Sequence, residues 1–178
     1  SVDILVNNAG IEGPTPDGLE NMSVADYDKI MDINLRSQFM LCKAVIPHMK
    51  ERSARVAKDF PTFEARTAAR PHAGAIINLS SIAGVRGFPT LAAYSASNFG
   101  RQGLTRSLAL ELAPYHITCN AIAPGIVWTE IWDRLAEGMT DEASGKDKMD
   151  TFTEKVEALI PSRTAQLCED MGDAAVYF

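Results

Sequence analysis

Tyr94 and Asn98 are four residues apart in Tyr94-Ser95-Ala96-Ser97-Asn98, and Ser81 precedes the tyrosine by thirteen. Four residues is about one helical turn, so Tyr94 and Asn98 share a face of any helix that carries them. A tyrosine hydroxyl can give a proton to an oxygen on which negative charge develops, or take one back in the reverse direction. A serine hydroxyl can donate a hydrogen bond to that same oxygen and hold it in place. Asn34 adds an uncharged polar side chain deep in an otherwise amphipathic stretch. Taken singly, each has a plain reading: a loop serine, an aromatic at a helix start, an exposed helix position. The ordered combination points instead to proton transfer at an alcohol or carbonyl oxygen.

The elements that must position these residues can be read from periodicity. Val2 to Val6 is a short, mostly apolar run that suits a strand buried in a parallel sheet. It ends in Asn7-Asn8-Ala9-Gly10, and a Gly- and Pro-rich loop follows to Gly18. Ser23 can cap a helix that starts near Val24, with Asp26 in its first turn. Tyr27, Ile30, Met31, Leu35, Phe39, Cys42, Val45, Ile46 and Met49 recur at helical spacing, which predicts one helix to about Arg52. Residues 51–74 have no clear period; their Arg52, Arg55, Lys58, Arg66 and Arg70 read as a solvated connection before they read as a basic docking patch. Ala75 to Leu79 and Ile117 to Ile122 are the next strands. Between them a helix spans about Leu91 to Leu112, with Phe99, Leu104, Leu108 and Leu112 on one face and Pro114 beyond its end. One or two helices are expected in 129–163, and another from Glu169. Strands alternating with helices predict an α/β fold with a parallel sheet and right-handed crossovers. In such sheets ligands lie beyond the carboxyl ends of the strands, where Asn7, Ser81 and Pro124 all fall.

Composition narrows the function class. The chain has 178 residues, 46% hydrophobic and 22% charged, with a formal charge of −6. That length suffices for one domain with a real core. The negative charge argues against non-specific nucleic-acid binding, and no apolar run approaches the length of a membrane span. Cys42, Cys119 and Cys168 lack metal-ligand or redox-motif spacing, so no metal site is expected and the thiols suit a reducing, cytoplasmic setting.

The ordered set of Asn7-Asn8-Ala9-Gly10, Asn34, Ser81, Tyr94 and Asn120-Ala121-Ile122-Ala123-Pro124-Gly125 closely resembles the short-chain dehydrogenase/reductase family, over nearly the whole chain. The resemblance implies a Rossmann-like, doubly wound parallel sheet, represented here by its C-terminal part as a single partial domain over 1–178. It implies an NAD(P)-dependent oxidoreductase acting on a small-molecule alcohol or carbonyl substrate. Pro124 to Trp132 resembles the loop of the polyol, sugar and secondary-alcohol dehydrogenases. By the same resemblance, Asn34, Ser81, Tyr94 and position 98 are the catalytic set. Asn7, Ala9, Gly10, Tyr94, Asn98, Pro124, Gly125, Val127 and Thr129 line the NAD or NADP site, and residues 128–163 form a substrate lid. Trp128 and Trp132 read equally well as core or interface packing. Family members pair through their two long helices, which implies a homo-oligomer, a tetramer or dimer.

Position 98 departs from the pattern. The family has a lysine there, which binds ribose hydroxyls and favours the ionised tyrosine; Asn98 carries no charge. A charge about 4 Å away at an effective dielectric near 20 is worth roughly 4 kcal/mol, so turnover is expected to fall by orders of magnitude. A glycine-rich pyrophosphate turn is also missing, because Pro14 and Pro16 interrupt Gly10, Gly13 and Gly18. The resemblance places three βα units, roughly 80–90 residues, ahead of Ser1 and a final strand after Phe178. These departures support a rival reading, a catalytically inactive relative that acts by binding or assembly.

Overall fold

Three parallel strands form one sheet in the order β1-β2-β3: β1 (Ile4–Asn7), β2 (Gly74–Leu79) and β3 (Ile117–Ile122). The register sets Asn7 beside Asn78, Gly74 beside Ile117 and Leu79 beside Ile122. The computed structural model describes residues 2–15, 18–140 and 145–178; Ser1, Pro16, Asp17 and residues 141–144 of the 128–163 segment lie outside them. β1 starts later than its apolar run. Asp3 still bonds through its carbonyl to the Ala75 amide, 3.0 Å, but Val2 is exposed. β1 lies at the sheet edge, with Ile4 and Val6 exposed.

One helical rod follows β1. It comprises α1 (Val24–Met31), a π turn over Asp32–Arg36, and α2 (Ser37–Asp59). Ser23 Oγ caps it by accepting from the Asp26 amide at 3.0 Å. The rod passes the expected end at Arg52 because Ser53 and Val56 are still buried. Residues 51–74, expected to be irregular, also hold α3 (Phe63–Ala69), capped by Thr62 Oγ1 accepting from the Ala65 amide at 3.1 Å. α4 (Ala92–Leu112) joins β2 to β3.

The core gathers where α2 and α4 cover the sheet face carrying Ile76, Ile117 and Cys119. Cys42, Val45 and Met49 come from α2, Leu108 and Leu112 from α4. Gly74 leaves room for Met49, whose sulfur would lie 2.7 Å from a Cβ at that position. Phe39 and Phe99, expected on buried helix faces, are about half exposed. Cys42 and Cys119 are buried and Cys168 is exposed, all as free thiols. Burial pushes the Cys119 thiol up to about 12, and the neighbouring Cys42 acts in the same direction.

The described residues form two compact units, one reaching to Ala123 and including Phe178, the other drawn from Pro124–Tyr177. The second unit holds α5 (Glu130–Met139), α6 (Lys148–Leu159) and α7 (Cys168–Tyr177). Its small core sets Trp128 and Trp132 edge-on to Phe152, with ring centroids 4.8 and 5.6 Å away. Asp147 starts α6 with a capping box. No helix among the described residues is long and apolar enough to cross a membrane.

Candidate active site

In the first unit the candidate residues sit at the carboxyl ends of β1 and β2, in the π turn, and on the first two turns of α4. Ser81 follows β2 directly and caps a short 3-10 turn, Ile82–Gly84, its Oγ accepting from the Ala83 amide at 3.1 Å. That bond uses a lone pair and leaves the hydroxyl proton free to be donated. Tyr94 lies in the first turn of α4, half-buried, and its hydroxyl makes no hydrogen bond among the described residues. Both side chains therefore keep their chemistry available.

The loop carrying Ser81 is held against α4 close to Tyr94. Ser80 Oγ donates to the Asn98 carbonyl at 3.2 Å. Gly84 packs on the same peptide: a Cβ there would lie 2.6 Å from Ser80 Oγ and 2.7 Å from the Asn98 carbonyl oxygen. Gly84→Ala must push loop and helix apart. We expect it to cost about 1–3 kcal/mol of stability and to lower kcat by up to roughly a hundredfold, the scale of a 1 Å misplacement. Gly87→Ala in the same loop, where an added Cβ meets nothing within 4 Å, should change neither. Thermal unfolding and steady-state kinetics on both variants check this.

Asn34 occupies the π turn, fully buried rather than exposed. The wider turn aims its amide at the loop after β1. Oδ1 accepts from the Ile11 amide at 2.8 Å, and Nδ2 donates to the Ile11 carbonyl at 2.8 Å and to Ser97 Oγ at 3.0 Å. Ser97 Oγ in turn donates to the Tyr94 carbonyl at 2.8 Å. Asn34 thus ties the post-β1 loop to the turn of α4 that bears the tyrosine.

Asn98 is buried beneath Tyr94. Its Nδ2 donates to the Tyr94 carbonyl at 3.0 Å, and its Oδ1 accepts no hydrogen bond among the described residues. Asn7 is buried too and donates through Nδ2 to Asn78 Oδ1 at 2.8 Å. Asn78 Nδ2 donates onward to Thr105 Oγ1 at 2.9 Å. Asn8 and Ala9 are exposed, and Gly10 is partly exposed.

Arg101 was not singled out by sequence, yet it is central here. Only 4% of it is exposed. Its Nε donates to the Asn34 carbonyl at 2.5 Å, one terminal nitrogen to the Leu79 carbonyl at 2.7 Å, and the other to the Ala9 carbonyl. Burial pulls the guanidinium below its ordinary value, while the charge of Tyr94 acts the other way. The available signal was helical spacing: Tyr94, Asn98, Arg101 and Thr105 follow each other at four, three and four residues, a polar stripe that continues into Leu108 and Leu112.

In the second unit, Gly125 donates its amide to Gln166 Oε1 at 2.7 Å, and the Gln166 amide donates to the Ile126 carbonyl at 3.1 Å. Val127 is buried and bridges to Gln166 in parallel fashion, and Pro124 and Thr129 are partly exposed. Gln166 thus fixes the segment that carries Gly125 and Val127, and sequence reasoning missed it. Thr129 is the N-cap residue of α5 without a side-chain cap bond. Among the described residues no cluster of His, Cys, Asp or Glu could hold a metal.

The donor set in the first unit fits a nucleotide cofactor's nicotinamide and ribose: two hydroxyl protons free to be donated, at Ser81 and Tyr94, beside a solvent-accessible loop at Ala9 and Gly10. A Cβ on Gly10 would stand 3.2 Å from an Arg101 nitrogen and 3.4 Å from Asn34 Oδ1.

A family model described as enoyl-(acyl carrier protein) reductase matches residues 1–178. Trans-4-hydroxycyclohexanecarboxylate dehydrogenase of Sinomonas cyclohexanicum is 36% identical over 147 residues, covering 83% of this chain and 48% of that protein. 2-(R)-hydroxypropyl-CoM dehydrogenase of Xanthobacter autotrophicus is 31% identical over 178 residues, covering 99% and 59%. The crystal structure of NAD+-bound xylitol dehydrogenase aligns with a TM-score of 0.79 at 27% identity, over 99% of this chain and 62% of that one. The chain spans about half the length of the curated relatives it matches.

Proposed function

This chain belongs to the short-chain dehydrogenase/reductase family, and we propose that it serves an NAD(P)-dependent oxidoreductase acting on the alcohol or carbonyl group of a polyol, sugar or secondary alcohol. The observation that carries this reading is the pairing of Ser81 and Tyr94. Both keep a free hydroxyl, and the Ser81 loop is clamped to α4 one turn from the tyrosine.

A nicotinamide cofactor, when bound, would supply or accept the hydride. The chain's residues manage the oxygen. Ser81 Oγ donates a hydrogen bond to the substrate oxygen and orients it. In reduction, Tyr94 Oη gives that oxygen its proton as the carbonyl carbon gains the hydride; in oxidation it takes the proton back. Asn34 keeps the tyrosine's turn in place through Ser97. In the first unit, Ala9, Gly10, Tyr94 and Asn98 are proposed as cofactor contacts; in the second unit, taken by itself, Pro124, Gly125, Val127 and Thr129 are proposed as cofactor contacts by family resemblance. Asn7 would act from behind, since it is buried against Asn78. Residues 128–163 are proposed as the substrate lid. Exposed Met40 and Leu41 on α2 and Leu110 on α4 support pairing of two copies through these helices.

Asn98 favours a second reading, a relative without turnover, because a neutral buried amide stands where the family carries its lysine. One experiment separates the two. The intact protein is mixed with NAD or NADP and a panel of polyols, sugars and secondary alcohols, and nicotinamide absorbance is followed. Turnover that Ser81→Ala cuts sharply supports the oxidoreductase. A folded protein inert toward the whole panel in both directions supports the inactive relative.

A further inference from the structure

A positive charge is buried at this rim after all, one turn beyond the place where the family keeps it. Arg101 shares the α4 stripe with Tyr94 and Asn98, at seven and three residues' distance. Its three hydrogen bonds go to carbonyls of three separate segments: Ala9 after β1, Asn34 in the π turn and Leu79 at the end of β2. All three acceptors are neutral, and Arg101 makes no ion pair among the described residues. A guanidinium stays protonated even when buried, so its charge at this rim is not cancelled by a bonded carboxylate.

The surroundings are shaped around that charge. Gly10 lies against the guanidinium, and a Cβ there would stand 3.2 and 3.3 Å from its terminal nitrogens. Asn98, one turn closer to Tyr94, is neutral, fully buried and turned back onto its own helix. An ammonium at 98 would place a second buried cation three residues from the first, and like charges at that spacing repel. Burying a charge without a counter-charge is costly. The lysine's absence and the arginine's presence therefore belong together.

We propose that Arg101 is a positioning residue that supplies this site's fixed cation in place of a lysine at position 98: it locks Ala9, Asn34 and Leu79 together and favours the negative charge left on Tyr94 Oη when that oxygen gives up its proton. The catalytic part of this rests on the oxidoreductase reading above. The charge-exchange part does not, since it concerns only which of the two positions holds the cation.

The test is a double-mutant cycle in the intact protein, with Asn98→Lys, Arg101→Met and both together, and Arg101→Lys as the conservative variant. Unfolding midpoints in urea and kcat and KM are measured for each. Asn98→Lys alone should lower the midpoint and leave kcat no higher. Arg101→Met should lower kcat roughly a hundredfold, the scale of one lost preorganised donor, with substrate KM within about twofold. The double variant should regain most of the kcat lost in Arg101→Met, because lysine works at 98 only once the guanidinium is gone. Arg101→Lys should lie between. A purely structural Arg101 would not be rescued in kcat by a lysine at 98. The proposal is overturned if Asn98→Lys raises kcat with Arg101 in place, or if the double variant is no better than Arg101→Met. Should Arg101→Met not fold, recovery of folding in the double variant supports the exchange, and failure of both overturns it. Should no substrate turn over, the oxidoreductase reading falls, and the midpoints decide the exchange: strong coupling between 98 and 101 supports it, additivity overturns it.

Discussion

Replacing Tyr94 with phenylalanine should lower kcat by roughly 10²–10⁴-fold, the range of a positioned general acid, and leave stability almost untouched. The hydroxyl that is removed makes no hydrogen bond to the described residues, so the fold loses nothing it uses. The ring remains, the helix stripe is unchanged, and Asn98 and Ser97 bond to the Tyr94 carbonyl rather than to its side chain. The change in unfolding free energy should stay within about 0.5 kcal/mol. Substrate KM should move far less than kcat, because the proton is needed in the transition state and not for binding. Steady-state kinetics beside a thermal melt check both halves. A variant that melts early and turns over normally would assign the tyrosine to packing.

Asn34→Ala should have a large effect on stability. The amide makes three hydrogen bonds from a fully buried position, two of them to the two backbone groups of Ile11. Each bond is worth about 1 kcal/mol net, and a buried group left unpaired costs a further 1–3 kcal/mol. The sum is roughly 4–6 kcal/mol, a large share of the ~5–15 kcal/mol that holds a typical domain folded. In a protein of 150–250 residues that shifts the melting temperature by roughly 8–24 °C. The loss also frees the loop after β1 from the turn of α4 that bears Tyr94, so kcat should fall with it. Differential scanning calorimetry on the intact protein gives the shift directly. An unchanged melting temperature would mean that Ile11 is held by other means.

The elements around this site were legible where the pattern is local. Ile117–Ile122 is a strand over the residues its apolar run suggested, and Ser23 caps α1 through Asp26. What escaped reading depends on tertiary partners. Nothing in a run of helical spacing marks where a π turn will widen it, so Asn34 could be singled out by its type and place while its bonds to Ile11 and Ser97 could not be read. Phe39 and Phe99 fit an apolar stripe but lie outside the contacts that the sheet makes with α2 and α4. α3 was hidden because its Glu64, Arg66 and Thr67 carry no apolar period; only the cap at Thr62 signalled it. Arg101 was overlooked for a similar reason. A lone arginine on a helix is most often a solvated charge, and only its place on the stripe from Tyr94 to Thr105 showed that it points inward. The places of Ser81 and Tyr94, the pair proposed for catalysis, were legible, because they sit at boundaries that sequence marks well: the end of an apolar strand and the start of a long helix.

Hydride transfer is the claim on which the rest depends, and isotopic labelling reads it most directly. The intact protein is incubated with an oxidised nicotinamide cofactor and secondary alcohols or polyols bearing deuterium on the carbinol carbon, and the reduced cofactor is analysed by mass spectrometry. Deuterium in the reduced nicotinamide, lost when Tyr94 is phenylalanine, is the expected result. A folded protein that moves no label to either cofactor from any of these alcohols would contradict it.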